Sequence, residues 1–302
     1  MKKSVAFSNN QIRMAGELFT PDNLDETTKI PAIVCTHPAG AVKEQSPALY
    51  AEYLAEMGFI VLTFDASHQG ASGGEPRFLE NPFERVDDIR SAIDYLTSLP
   101  FVDASRIGAF GICAGGGYSV SAATTERRIK AVAGVSATDA GSAIREGWDG
   151  SITPAEQIKM LESVAAQRTA EANGGEIMYM AYVPETIDET TAVTMREAHE
   201  YYRTPRAQHP NSQNKVMFTS LDRLLTFSAT DRIDSLLTQP LLMIVGSESD
   251  AMHFSQKFYE KAASEKKELF IVENATHIDL YDVMTHVKPA IRKLGAFFTE
   301  NL

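Results

Sequence analysis

Three residues in this sequence have the types and the spacing to do nucleophilic chemistry together. The first, Cys113, lies in "GAFGICAGGGYSVSAA" (108–123), where an apolar run meets a glycine cluster. Gly111-Ile112-Cys113-Ala114-Gly115 follows the pattern G-x-nucleophile-x-G, which turns a strand sharply into a helix. The demand is steric: the nucleophile holds a strained backbone conformation, and flanking side chains would collide where the chain doubles back. A thiol at that turn gains from the helix N-terminus, which favours the thiolate. The Ala114 N–H is then free to bond an oxyanion, and Ala39 or Gly40 in "THPAG" is expected to supply the second donor, since Pro38 has no N–H. On the pentapeptide alone, a buried structural cysteine beside a glycine-rich helix start is the plain alternative.

An acid and a histidine are expected to follow the nucleophile in that order. Asp250 stands just past an apolar run in "IVGSESDAMHF", and His277 just past the next one in "VENATHIDLY". With Cys113, both then project from one carboxyl edge of a parallel sheet, where such sheets carry their sites. Asp250 is expected to fix the imidazole tautomer while His277 takes the thiol proton and hands it on. Glu248 and Asp139 compete for the acid's place. His37 is expected to bond loop backbone, and Asp279 to cap the final helix. His199, His209, His253 and His286 lack placement at a strand end.

The elements that must position these groups alternate strand and helix from about residue 30. Buried-strand runs are read at 31–38, 59–66, 106–112, 129–137, 240–250 and 267–277, with helices at 46–58, 81–99, 254–264 and much of 280–299. Leu49, Tyr53, Leu54 and Met57 are expected on one face of the first helix, and Phe83, Val86, Ile89, Ile93 and Leu96 on one face of the second, with Asn81 as its N-cap. Strands apolar on both faces, alternating with helices, imply a mostly parallel sheet in a three-layer α/β domain. The first forty residues suit an antiparallel hairpin at one edge. Residues 140–215 break the rhythm, being polar and helical. The expected organisation is a core of 1–139 and 216–302 with a lid or cap insertion at 140–215.

The totals exclude several classes. The formal charge of -12 argues against a nucleic-acid partner. No apolar run approaches the roughly 20 residues of a membrane-spanning helix, and "MKKSVAFSNNQIRMAG" offers no stretch suited to a signal peptide. Two cysteines, Cys35 and Cys113, make no disulfide framework, so a cytoplasmic setting is expected. No cofactor or metal is expected. The partner is a small-molecule acyl substrate, and homo-oligomerisation stays open.

These residues resemble the α/β-hydrolase superfamily over essentially the whole chain apart from the insertion. Cysteine in the elbow is similar to dienelactone hydrolases. "HPAGAVKEQSPALYAEYLAEMGF" (37–59), "FDASHQGASGGEPR" (64–77), "GICAGGGYS" (111–119), "VGSESDAMHFSQKFYEKA" (245–262) and "ATHIDLYD" (275–282) look closer still to the branch that includes fungal polyketide transferases. The resemblance implies an α/β-hydrolase fold and a glutamate near the oxyanion loop that helps hold the cysteine, for which Glu44 is the counterpart candidate. His68 and Tyr182 are further candidates for the substrate pocket, with turn stabilisation the alternative for His68 and lid packing for Tyr182. The expected activity is hydrolysis of carboxylic esters, thioesters or lactones through a Cys-His-Asp triad and an acyl-enzyme. Acyl transfer to an alcohol or amine is the alternative within the class, and a non-catalytic thiol sensor or binding protein is the alternative outside it.

Overall fold

A computed structural model describes all residues, 1–302. In chain order its strands are β1 (Lys2–Asn9), β2 (Ile12–Phe19), β3 (Ile30–Thr36), β4 (Ile60–Phe64), β5 (Val102–Ile112), β6 (Ile129–Val135), β7 (Tyr179–Met180), β8 (Val216–Met217), β9 (Leu241–Gly246) and β10 (Lys267–Val272). The helices are α1 (Ser46–Glu56), α2 (Pro82–Ser98), α3 (Ala114–Thr125), α4 (Ala140–Glu146), α5 (Pro154–Ala172), α6 (Val193–Arg203), α7 (Leu221–Thr226), α8 (Ile233–Leu236), α9 (Met252–Lys261), α10 (Asp279–Asp282) and α11 (Met284–Asn301).

Eight strands form one sheet in the order β1-β2-β4-β3-β5-β6-β9-β10. The β1–β2 and β2–β4 pairings are antiparallel and every later pairing is parallel. All of β4 and β9 and the inner part of β3 are buried, as continuous apolar runs require when helices cover both faces. Two apolar cores result. One lies under α2 and α3, around Ile89, Ile93, Leu96, Val120 and Phe258. The other lies under α1 and α11, around Tyr50, Leu54, Leu294 and Phe298.

Two helix faces differ from expectation. In α1 the buried face carries Tyr50, Ala51 and Leu54, while Met57 is exposed just past the helix end. Tyr50 turns inward because its hydroxyl donates to the Leu280 carbonyl at 2.7 Å, which ties α1 to α10. In α2, Val86, Ile89, Ile93 and Leu96 are buried but Phe83 is exposed, with its ring set edge-on to Phe227. Asn81 occupies the N-cap position without a side-chain capping bond. Asp279 and Thr276 exchange backbone-to-side-chain bonds of 3.0 and 3.2 Å at the start of α10.

Between β6 and β9 the chain leaves the sheet. A two-stranded ribbon joins β7 to β8 and so ties residues 179–180 to 216–217. The excursion therefore runs past 215, through α7 and α8, before β9 returns the chain to the sheet. Within it α5 buries one residue, Val164, and α6 buries Tyr201 and Tyr202 against the β10–α11 connection.

Because Leu280 lies between His277 and the last helix, the Tyr50 bond anchors the segment that carries the histidine. Tyr50→Phe leaves that buried carbonyl unpaired, so the variant is expected to lose about 1–3 kcal/mol of stability, read from its urea midpoint. An unchanged midpoint would show that the carbonyl is satisfied some other way.

Candidate active site

Cys113 sits between β5 and α3 with φ of 55°, a left-handed conformation that side chains rarely adopt. The glycines around it answer close backbone approaches. A Cβ on Gly111 would lie 2.1 Å from the Gly115 carbonyl, and one on Gly115 would lie 2.3 Å from the Thr36 carbonyl oxygen. The turn is locked by hydrogen bonds from the Cys113 N–H to the Val135 carbonyl and from the Thr138 N–H to the Cys113 carbonyl, both 3.0 Å. This strained turn aims the side chain out of the sheet edge and into a cavity of about 330 Å³.

Ala39 and Ala114 line that cavity, and the backbone N–H of each donates to no protein group. Gly40 does not line it. Its φ is +71°, its carbonyl accepts from the Ser212 hydroxyl, and a Cβ there would strike the Tyr182 ring. The 37–39 loop is held from behind. His37 Nδ1 contacts the Pro38 carbonyl at 2.6 Å, its Nε2 accepts from the Ala66 N–H at 3.1 Å, and Arg85 donates to its carbonyl at 2.9 Å. Burial and the Arg85 charge hold the His37 pKa well below the ordinary range, so this imidazole is a neutral structural linker.

The thiol meets three polar side chains. Thr138 Oγ1 lies 3.5 Å from the sulfur, and the His277 imidazole and Tyr281 hydroxyl face it across the cavity. Burial pushes the thiol pKa up, but hydrogen bonding and charge from His277, with help from Tyr281 and Thr138, bring it down to about 7. His277 is buried, and its Nε2 bonds Tyr281 Oη at 3.3 Å.

Asp250 departs from the expected role. It is exposed, and its carboxylate accepts from the indole N–H of Trp148 at 3.2 Å and from the Thr194 hydroxyl, not from His277. The Nδ1 of His277 is buried with no hydrogen-bond partner. The physical reason is the excursion between β6 and β9, which places two donors over the β9 loop and satisfies the carboxylate at the cavity's rim. Trp148, the chain's single tryptophan, also packs edge-on against the His277 ring at 5.8 Å. Asp139 is no substitute acid, since it caps α4 through Gly141 and Ser142 and accepts from the Ala229 N–H. Glu248 takes only the neighbouring Ser247 hydroxyl.

Two further candidates lie elsewhere. Glu44 pairs with Lys43 at 2.5 Å and does not reach Cys113; Lys43 in turn binds the buried Asp65, so the glutamate belongs to that loop's ion cluster. His68 is tied to Glu84 at 2.9 Å and to the Pro76 carbonyl, which is the turn-stabilising arrangement. Tyr182 does line the cavity, and its hydroxyl and that of Tyr118 both donate to the buried Glu80, which Arg85 faces at 3.8 Å. Most of the remaining lining is apolar, including Ile144, Val183, Met195 and Leu224. A larger depression of about 760 Å³ around Asp87, Arg90 and Arg232 touches none of these groups. Sequence reasoning missed Thr138, Trp148, Glu80 and Tyr281. Only Tyr281 carries a local signal, four residues beyond His277 across a helix start.

Residues 10–279 match the model of the X-Pro dipeptidyl-peptidase (S15) family. The chain is 42% identical to the uncharacterized protein YcjY of Escherichia coli, over all of both chains. It superposes on the crystal structure of the hypothetical protein PA2218 from Pseudomonas aeruginosa with a TM-score of 0.94 and 35% identity, covering 100% of this chain and 94% of that one. It is also 27% identical to the acyltransferase drtE of Aspergillus calidoustus, over 89% of this chain and 86% of that one. The sheet order and the strained turn are those of α/β hydrolases.

If His277 holds the thiol pKa down, alkylation of Cys113 by iodoacetamide is expected to follow a pH midpoint of about 7. In His277→Ala the midpoint moves upward, toward the ordinary 9.0, because only the weaker Tyr281 and Thr138 hydrogen bonds then oppose burial. Cys35 is wholly buried and serves as the silent control in peptide mapping. Equal midpoints in the two proteins would remove His277 from the account.

Proposed function

The chain belongs to the X-Pro dipeptidyl-peptidase (S15) family and is an enzyme of the α/β-hydrolase superfamily, and from that premise we propose that it cleaves carboxylic esters, thioesters or lactones through an acyl-enzyme on Cys113. The observation that carries this reading is the thiol itself: a cysteine at φ of 55°, with a pKa near 7, in an apolar cavity between two undonated N–H groups. His277 takes the thiol proton, and the sulfur adds to the substrate carbonyl carbon. The oxyanion that forms sits between the Ala39 and Ala114 N–H groups. The imidazolium returns the proton to the leaving alkoxide or thiolate as the C–O or C–S bond breaks. Water, deprotonated by His277, then attacks the thioester and releases the acid and the free thiol.

The pair works without a hydrogen-bonded carboxylate on Nδ1, and packing of the buried imidazole against the Trp148 and Tyr281 rings supplies its orientation. A cavity of about 330 Å³ suits a compact, largely apolar acyl group. A second reading, delivery of the acyl group to an alcohol or amine, is favoured by the likeness to the Aspergillus acyltransferase. It uses the same acyl-enzyme and differs only in what resolves it.

The test is a panel of p-nitrophenyl esters and thioesters of graded chain length, with an X-Pro p-nitroanilide as the amide arm, followed by mass detection of the Cys113 adduct. Ester and thioester turnover with an adduct at Cys113 is expected, and Cys113→Ala abolishes both. Added alcohols or amines that divert product from the free acid would select the transfer reading. Turnover retained in Cys113→Ala would sink the mechanism. His277→Ala should lower kcat about 10²–10⁴-fold, whereas Asp250→Asn should cost no more than about tenfold, the effect of ~1.4 kcal/mol.

A further inference from the structure

We propose that the Tyr202 hydroxyl binds substrate, donating a hydrogen bond to an acceptor in the leaving alcohol or thiol. The substrates it selects are esters or thioesters whose leaving group carries an amide, ketone or ether oxygen. The inference rests on the acyl-enzyme at Cys113 proposed above and concerns the half of the substrate that leaves. Every other hydroxyl on the cavity wall, and its one indole N–H, is engaged by the protein. Tyr118 and Tyr182 donate to Glu80, Trp148 and Thr194 donate to Asp250, Thr138 meets the sulfur, and Tyr281 meets His277. Tyr202 lines the same wall and is only 7% exposed, yet its hydroxyl has no hydrogen-bond partner.

An unpaired buried hydroxyl is costly, and a site that holds one favours the ligand that pairs it over the analogue that cannot. The groups that bear on Tyr202 are Tyr201, Tyr281 and Cys113. None of them stands in hydrogen-bond geometry with its hydroxyl. Burial, with Tyr201 and Cys113 beside it, holds the phenol's pKa well above the ordinary range. The group is therefore a neutral donor that keeps its proton throughout the reaction.

Position decides which half of the substrate it meets. The acyl oxygen lies between the Ala39 and Ala114 N–H groups, whereas the leaving atom lies against His277, which protonates it. Tyr202 stands on the histidine's side. Its ring faces that of Tyr281 at 6.5 Å, and the Tyr281 ring packs on His277 at 5.7 Å. Tyr202 is also the one residue shared by the walls of the cavity and of an outer depression of about 600 Å³. That outer wall is polar, with Arg203, Gln208, His209 and Gln213. Trp148 likewise borders both the cavity and a further depression, but its N–H is spent on Asp250. A leaving group that passes Tyr202 thus meets an unpaired donor and then polar surroundings, while the acyl chain keeps the apolar walls of Ile144, Met195 and Leu224.

Tyr202→Phe keeps the ring and removes only the hydroxyl. Two thioesters of butanoic acid serve as probes: that of N-acetylcysteamine, with an amide carbonyl in the leaving group, and that of pentanethiol, its all-carbon counterpart. The variant is expected to lose about tenfold more kcat/KM on the first than on the second. Equal losses on both, as a packing role predicts, or a greater loss on the pentyl thioester would overturn the assignment. Should Tyr202→Phe fail to fold, 3-fluorotyrosine at position 202, a stronger donor on the same ring, decides instead. A raised preference for the N-acetylcysteamine thioester supports the assignment, and an unmoved or lowered one refutes it. If the wild-type protein turns over neither thioester, S-methyl-N-acetylcysteamine supplies a readout without turnover. It should slow alkylation of Cys113 by iodoacetamide, and less so in Tyr202→Phe. That pattern without turnover counts against the proposed hydrolysis and not against this site, whereas no protection, or equal protection in the two proteins, counts against the site.

Discussion

The turn at Cys113 is the constraint on which the rest of this molecule hangs. Holding a cysteine at φ of 55° costs on the order of 1–3 kcal/mol, and that strain persists only where the surroundings leave the chain no other path. Here the β3 end lies against Gly115, and Gly111 lies against Gly115 in turn, at separations no Cβ would tolerate. The same approach brings the 37–39 loop beside the start of α3. One packing event thereby presents the thiol and both candidate oxyanion donors to a single cavity, and Arg85 and His37 brace that loop from the buried side.

What surrounds the thiol comes from two directions with different physics. The sheet edge supplies groups positioned by backbone: Cys113, Ala114, Ala39 and the β10–α10 loop that carries His277. The excursion between β6 and β9 supplies groups positioned by side-chain packing: Trp148 over the imidazole, Tyr182 on Glu80, and Tyr201 and Tyr202 against Tyr281. The first set determines which chemistry is available. The second shapes the space around it, occupies Asp250 through Trp148 and Thr194, and leaves the imidazole Nδ1 unpaired. The acid of the expected triad is thus bound to the excursion rather than to the histidine.

Much of this was legible before any coordinates. The strand and helix order follows from apolar runs bounded by glycine and proline, because a strand buried on both faces leaves a dense local signature. The positions of Cys113 and His277 follow because each sits at the end of such a run. Other expectations failed for reasons that local pattern cannot carry. Tyr50 rather than Tyr53 faces inward because a carbonyl 230 residues away requires its hydroxyl. Glu44 pairs with Lys43 and His68 with Glu84, so the structural reading holds for both and neither reaches the thiol.

By itself, the sequence determined the sheet, the elbow and the identity of the thiol. Each of these rests on local sterics: glycine where backbones touch, apolar residues where both faces are covered, a nucleophile where strand becomes helix. Only the tertiary structure decided which groups meet that thiol. Thr138, His277 and Tyr281 converge on it from separate elements, and Trp148 and the buried Glu80 line the same cavity. Asp250 is diverted from His277 by donors about 50 to 100 residues away in the chain. Long-range polar pairing follows which donor and acceptor are brought within reach after the core has formed. No spacing along the chain encodes that outcome.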